Sequence, residues 1–243
     1  MVKRGLVGTR SEATRLIDER VVSISGAIAE KASRLVSPDE PIEILKVRKY
    51  VSRGGEKMEG ALDAFGIDVS SRSVIDVGSS TGGFTDCVLQ RGAARVFAVD
   101  VGRNQLHERI ASDDRVTWRE GVNVRDLGPA DLPFPCSLLV ADLSFISLTV
   151  VMAALDRLVS EEDGFPEAEM VLLVKPQFEV GRQEASKGRG VITDAALHRE
   201  SVEKVAASAL DHGWHRKGLE ESPIKGQDGN TEFLLHLARV PRA

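Results

Sequence analysis

The sequence predicts an α/β protein: a mostly parallel sheet with helices on both faces, preceded by a small α+β unit. Two observations carry this. Short apolar runs at Val74–Val77, Arg95–Asp100, Ser137–Asp142, Met170–Lys175 and Phe233–Ala238 alternate with helical stretches at Gly83–Arg91, Ser147–Ser160 and Asp194–His212. Strands buried on both faces read as continuous apolar runs, and helical crossovers between them make the sheet parallel. The second observation is a change of pattern at Ser52-Arg53-Gly54-Gly55, ahead of which the elements are shorter.

Residues 1–45 are expected to form the small unit. Thr9-Arg10-Ser11-Glu12-Ala13 reads as a helix start, with Thr9 or Ser11 as cap and Glu12 three residues after Thr9. That helix runs to about Arg20. Val21–Ile24 reads as a strand, Ser25-Gly26 as a tight turn, and Ile42-Glu43-Ile44 closes the unit after a second short strand. Residues 46–55 read as a linker and 56–243 as the main domain. The main domain opens on a helix at Glu56–Phe65 that places Met58, Ala61, Leu62 and Phe65 on one face.

Composition excludes several classes. With 243 residues, 42% hydrophobic and 28% charged, the chain buries a real core and is not a disordered polymer. Cys87 and Cys136 show neither metal-ligand spacing nor a disulfide framework, which points to a reducing, cytosolic setting and to no metal. The longest apolar runs, such as Met170–Val174, are strand-sized, and Met-Val-Lys-Arg-Gly at the N-terminus lacks the apolar stretch of a signal peptide. The net charge of −5 is unevenly spread: residues 1–57 hold 12 Lys/Arg against 8 Asp/Glu, a net of +4, which leaves −9 for the rest. A basic N-terminal segment on an acidic body fits a nucleic-acid-docking module attached to an enzyme, and equally a chance asymmetry.

In a doubly wound sheet, ligands bind beyond the carboxyl ends of the strands, so the informative residues follow those ends. The first main strand runs into Asp76-Val77-Gly78-Ser79-Ser80-Thr81-Gly82-Gly83-Phe84. Glycines there let backbone approach a ligand closely, and the following helix opens on unpaired N–H groups. The spacing is neither G-x-G-x-x-G nor a Walker loop. The next strand ends in Asp100, whose carboxylate can accept both hydroxyls of a ribose. Asp76-x-Gly78 with Asp100 is therefore read as a Rossmann-like nucleotide-binding edge. Asn123, after a third candidate strand, reads either as an adenine contact or as a turn asparagine.

Five stretches in order resemble one family: Ser52-Arg53-Gly54-Gly55-Glu56-Lys57, Asp76 through Phe84, Ala141-Asp142-Leu143-Ser144-Phe145-Ile146-Ser147, Val174-Lys175-Pro176-Gln177-Phe178-Glu179 and Gly229-Asn230-Thr231-Glu232-Phe233. They are similar to the TlyA family, also known as haemolysin A-like proteins, whose members are S-adenosylmethionine-dependent ribosomal RNA 2′-O-methyltransferases. The resemblance covers nearly the whole chain. It implies an FtsJ-like, Rossmann-like methyltransferase domain and an S-adenosylmethionine site at Asp76, Gly78, Ser79, Ser80, Thr81, Gly82, Gly83, Phe84, Asp100, Asn123 and Asp142. It implies ribosomal RNA or a ribosomal subunit as partner. The N-terminal unit, in Arg4-Gly5-Leu6-Val7 and Arg10-Ser11-Glu12-Ala13, resembles an S4 RNA-binding domain that is N-terminally short.

Methylating a ribose hydroxyl demands positioning of that hydroxyl and handling of its proton, because the methyl donor is already electrophilic. A lysine beside the hydroxyl can stabilise developing oxyanion character or, if burial depresses its basicity, take the proton. Lys57, Asp142, Lys175 and Glu232 all lie at or near element ends on the presumed active edge. By the resemblance they match a Lys-Asp-Lys-Glu tetrad. Lys175 activates the 2′-hydroxyl, Asp142 positions Lys175 and the methyl end of the cofactor, and Lys57 and Glu232 orient the ribose. A charge that ends an apolar strand, as Lys175 does before Pro176, is costly without partners. Arg4, Arg10, Arg15, Arg53, Arg182, Lys187 and Arg189 are expected to meet RNA phosphates, the last three from a polar loop at Gly181–Gly190. His198, His212 and His215 lack metal spacing, and Tyr50 and Trp118 read as packing residues before they read as base-stacking ones. Two other classes stay open: an RNA-binding protein without turnover, and a membrane-acting haemolysin, which would need an apolar or amphipathic membrane element.

Overall fold

The computed structural model describes every residue except 19, 46–48, 161–164, 166, 182–189 and 240–243. Contacts divide the chain into Met1–Lys49 and Tyr50–Ala243.

The first unit contains helix α1 (Arg10–Asp18) and a three-stranded antiparallel sheet of β1 (Val22–Ile24), β2 (Ala27–Ile28) and β3 (Ile42–Ile44), with β1 central. Thr9 Oγ1 accepts from Glu12 N at 3.1 Å and the Glu12 carboxylate accepts from Gly8 N at 2.9 Å, so the expected cap is in place. Ser25 and Gly26, with φ of 52° and 82°, make the tight turn between β1 and β2. Val7, Leu16, Ile17, Val22, Ile24 and Ala29 form its small core.

The second unit opens earlier than the periodicity at Glu56 suggested. Helix α2 spans Gly54–Phe65, and Tyr50 is 2% exposed within this unit's core. The residues from Tyr50 onward, read from sequence as the end of a linker, therefore pack as part of the domain; 46–48 lie outside the described residues. Seven strands follow: β4 (Ser73–Val77), β5 (Arg95–Asp100), β6 (Val116–Glu120), β7 (Leu138–Ala141), β8 (Ala168–Val174), β9 (His215–Glu221) and β10 (Phe233–Arg239). They are ordered β6-β5-β4-β7-β8-β10-β9. The first five pair in parallel, while β10 runs antiparallel to both β8 and β9. Helices α3 (Gly83–Gln90), α4 (Glu108–Ala111), α5 (Leu148–Asp156), α6 (Pro176–Glu179) and α7 (Ala195–Asp211) connect them.

Period-two geometry sorts the apolar strand residues onto the two faces. Ile75, Val77, Met170, Leu172, Val174, Leu235 and Leu237 join the core beneath α5 and α7. Val74, Val171, Leu173 and Leu234 join the core beneath α2 and α3. Both faces are therefore buried, as the continuous apolar runs predicted. The strand order reverses at β4, whose neighbours β5 and β7 follow different crossovers, and this opens a crevice at its carboxyl end.

Candidate active site

The glycine-rich turn after β4 is built by backbone constraints. Gly78 has φ of 83°, and a Cβ there would stand 2.5 Å from the Asp142 carbonyl oxygen. Only glycine lets β4 and β7 exit side by side at this point. Gly83 is equally confined, since a Cβ would lie 2.2 Å from Ser52 Oγ. That contact seats the start of α2 on the start of α3. The N–H groups of Gly78 and Ser79 both reach the Val99 carbonyl, at 2.8 and 3.1 Å.

Beyond this turn lies a cavity of about 390 Å³, bounded by Gly78, Ser80, Asp100, Asn123 and Asp142 from the expected set. Its volume suits a nucleoside-sized ligand. Val101, Gly102, Gln105, Val122 and the segment Leu143–Ile146 complete the wall. Sequence reasoning missed these wall residues, although their position immediately after β5, β6 and β7 was signal enough. The other expected contacts sit differently. Phe84 is 3% exposed and packs in the core beneath α2 and α3, because an aromatic on the inner face of α3 has apolar partners there. Asp76, Ser79, Thr81, Gly82 and Gly83 shape the turn without lining the cavity.

Asp100 uses both oxygens on backbone: Oδ2 accepts from Ser80 N at 2.8 Å and Oδ1 from Gly102 N at 2.6 Å. It thus ties the glycine-rich turn to the exit of β5. Asn123 Oδ1 accepts from Arg125 N at 3.1 Å, so the turn-asparagine reading holds while the residue also faces the cavity. Glu120, not singled out from sequence, accepts from three successive backbone donors, Asn104 N, Gln105 N and Leu106 N, at 2.6, 2.8 and 3.1 Å. Those bonds, led by Gln105 N, hold its carboxyl below the usual range and fix the loop carrying Gln105.

Asp76 is completely buried beneath the turn. Its Oδ2 accepts from Thr85 N at 3.0 Å and Thr85 Oγ1 at 2.6 Å, while Oδ1 is buried without a hydrogen-bond donor. Burial pushes the carboxyl up to about 7; the Thr85 hydroxyl opposes this, and the charges of Asp142 and Asp100 add to it. A carboxyl raised in the folded state contributes stability that is complete below its unfolded value near 3.8 and lost as pH rises through about 7. The melting temperature of the ligand-free protein is therefore expected to carry a falling contribution from about pH 4 to about pH 7 that levels off above pH 7, and Asp76→Asn to remove it. Calorimetry across this range checks it; an Asp76→Asn curve parallel to the parent's would assign the fall to another group.

The four tetrad residues resolve into two ion pairs. Lys57 Nζ lies 2.5 Å from Glu232 Oε2, with side chains 9% and 3% exposed. Lys175 Nζ lies 2.5 Å from Asp142 Oδ1, with side chains 10% and 24% exposed. The antiparallel register that pairs Phe233 with Val174 carries Glu232 to the level of Lys175, so both pairs gather at one end of the sheet. Asp142 lines the cavity, and Lys175 reaches the wall through its contacts with Asp142 and Ser144. Glu179 caps the start of α5 nearby: Oε2 accepts from Ser147 Oγ at 2.5 Å and Oε1 from Leu148 N at 2.8 Å. Asn230 holds the approach to Glu232, accepting from Ile192 N at 2.9 Å and donating to the Gly190 carbonyl at 2.8 Å.

The expected RNA contacts are scattered. Arg10 and Arg15 lie on the exposed face of α1, flanking a shallow cavity with Ser11, Thr14 and Asp18. Arg4 spends its guanidinium on the carbonyls of Ser37 and Glu40, at 2.7 and 2.6 Å. Arg53 is exposed at the start of α2, and Arg182, Lys187 and Arg189 lie outside the described residues. No cluster of metal-ligating side chains and no helix long and apolar enough to cross a membrane occurs among the described residues.

The backbone cradle at Gly78 and the nucleoside-sized cavity beside Asp100 fit S-adenosylmethionine. Fold and crevice together define a Rossmann-like, S-adenosylmethionine-dependent methyltransferase. The FtsJ-like methyltransferase family matches residues 50–239, and the chain belongs to it. It is 44% identical over 98% of its length, and 87% of the relative's, to a Mycobacterium tuberculosis protein named 16S/23S rRNA (cytidine-2′-O)-methyltransferase TlyA. A solved structure from Streptococcus thermophilus, designated a hemolysin, is 40% identical with a TM-score of 0.76, covering 98% of this chain and 86% of that one. An S-adenosylmethionine-dependent methyltransferase from Listeria monocytogenes shares the fold at 14% identity and a TM-score of 0.56, covering 78% of this chain and all of that one.

Proposed function

We propose that this protein methylates ribose 2′-hydroxyls of ribosomal RNA. The observation that carries the proposal is the Lys175–Asp142 pair at the wall of the nucleotide cavity, beside the buried Lys57–Glu232 pair. The name of the Mycobacterium tuberculosis relative supports the ribose 2′-oxygen as acceptor.

Bound S-adenosylmethionine supplies an electrophilic methyl group. The Gly78 turn, Asp100, Asn123 and Asp142 would hold it, and Asp76 would brace that turn from beneath. Lys175 faces the 2′-oxygen, where its ammonium form stabilises oxyanion character and its neutral amine form would instead accept the departing proton. Asp142 keeps that lysine near the cavity, and Lys57 with Glu232 orients the ribose from the other side. The Met1–Lys49 unit serves as an S4-like docking module in this reading, with Arg10 and Arg15 toward phosphate. In this reading the reaction takes place in the cytoplasm, on ribosomal RNA.

Tritium transfer from labelled S-adenosylmethionine to purified 30S subunits, 50S subunits and naked ribosomal RNA tests the proposal. Label is expected in RNA and should resist conversion of the bases while mapping to a 2′-O-methylated nucleotide. Binding of both cofactor and subunits with no label in any substrate would favour a binding protein without turnover.

A further inference from the structure

The two contacts of the Lys175 ammonium differ in kind. Asp142 Oδ1 is 2.5 Å away, yet that oxygen has no aligned hydrogen bond. Ser144 Oγ, at 2.8 Å, is an aligned acceptor. A carboxylate at that distance attracts the ammonium strongly but fixes its direction weakly, because hydrogen-bond strength falls steeply with misalignment while Coulomb attraction does not. The direction of the amine is therefore set by Ser144.

The loop bearing Ser144 is itself held on several sides. Asp142 N donates to the Val77 carbonyl at 3.1 Å, and Ser147 Oγ and Leu148 N donate to Glu179 at its far end. Phe145 takes a left-handed φ of 65°, and its ring lies 5.2 Å from that of Phe178, which in turn stands 5.9 Å from Lys175 Nζ. A non-glycine residue in this region costs about 1 kcal/mol or more and persists where surroundings over-determine it. Ser144 itself is exposed and lines the cavity with Asp142.

We infer that Ser144 is a positioning residue for methyl transfer, whose hydroxyl aims the Lys175 ammonium so that a remaining N–H faces the acceptor oxygen. The inference rests on the proposed role of Lys175. An ammonium has three donors; Ser144 takes one in an aligned bond while Asp142 holds the head group by charge, and that one bond restricts where the remaining donors point. Because Ser144 Oγ accepts from Lys175, its own proton stays available to an entering polar group.

The test compares Ser144→Ala, Ser144→Thr and Lys175→Ala in the full chain. Cofactor affinity is read by calorimetry and methyl transfer as a single-turnover rate on whichever ribosomal subunit the parent labels. Losing a neutral acceptor for a charged donor is expected to slow Ser144→Ala about tenfold to a hundredfold. Cofactor Kd and the RNA concentration at half-maximal rate should stay within about threefold, because this hydroxyl acts on the reacting lysine rather than on binding. Ser144→Thr, which keeps the hydroxyl, should recover most of the rate. A Ser144→Ala rate within about twofold of the parent's, with Lys175→Ala inactive, would remove the role of Ser144 and leave that of Lys175 standing. Equal impairment of the Ala and Thr variants would likewise overturn it. An active Lys175→Ala would instead defeat the reading of the lysine, and the inference with it.

Discussion

Lys175→Ala is expected to abolish methyl transfer, by about a thousandfold or more, while leaving S-adenosylmethionine affinity within about threefold of the parent's. The lysine sits 8% exposed at the end of β8 and touches the cavity only through Asp142 and Ser144. The walls that hold a nucleoside remain when its side chain is cut back. Removal leaves the Asp142 carboxylate without its counter-charge, but that side chain is 24% exposed, so water takes the place of the ammonium and the fold survives. Asp100→Ala should do the reverse. It frees the N–H groups of Ser80 and Gly102 and loosens the turn, so cofactor affinity falls before the chemistry is touched. Lys175→Arg then separates the two possible roles of the lysine. A guanidinium keeps the charge but gives up no proton at working pH, so substantial activity would mean oxyanion stabilisation and none would favour proton acceptance. Calorimetry with labelled transfer reads both quantities. Equal loss of binding and transfer in Lys175→Ala, with a lowered melting temperature, would indicate misfolding and withdraw the support for its catalytic role.

The parts legible in the sequence share one property: their signal is local. Val74–Val77 and Met170–Val174 are apolar on both faces and declare buried parallel strands, and Asp194 at the head of α7 accepts from Ala196 N at 2.7 Å as a helix cap should. Strand β9 carries no such signal. His215–Glu221 is polar almost throughout and exposed, and it is a strand only because β10 offers it an edge. Tyr50 illustrates the same limit. A single tyrosine in a polar stretch reads as linker, and its burial follows from contacts with residues distant in sequence. At the site, the charged residues were legible as a set, but not their partition. Lys57 with Glu232 spans 175 positions and Lys175 with Asp142 joins two crossovers, and pairing across such distances is a property of the sheet order. The contacts of Ser144 and Glu120 were not legible for a related reason: Ser144 meets one amine and Glu120 three amides that only the folded loops bring into reach.

Lys57→Met is expected to be the most destabilising single change at the site. Glu232 is 3% exposed and its carboxylate faces the lysine at 2.5 Å, so truncating the lysine strands a buried negative charge. Breaking one side of such a pair costs about 3–5 kcal/mol, which for a chain of this size lowers the melting temperature by roughly 6–20 °C. Replacing both partners, Lys57→Met with Glu232→Met, removes the stranded charge along with the pair and should recover most of that loss, because two apolar side chains of similar volume need no counter-ion. The double variant therefore isolates the chemistry from the fold. If the pair orients the ribose, the double variant melts close to the parent, binds cofactor and transfers little methyl. If it only braces α2 against β10, the double variant transfers at the parental rate. Methyl transfer measured on the refolded double variant, rather than on either single one, is the decisive reading, since each single change confounds lost charge with lost structure.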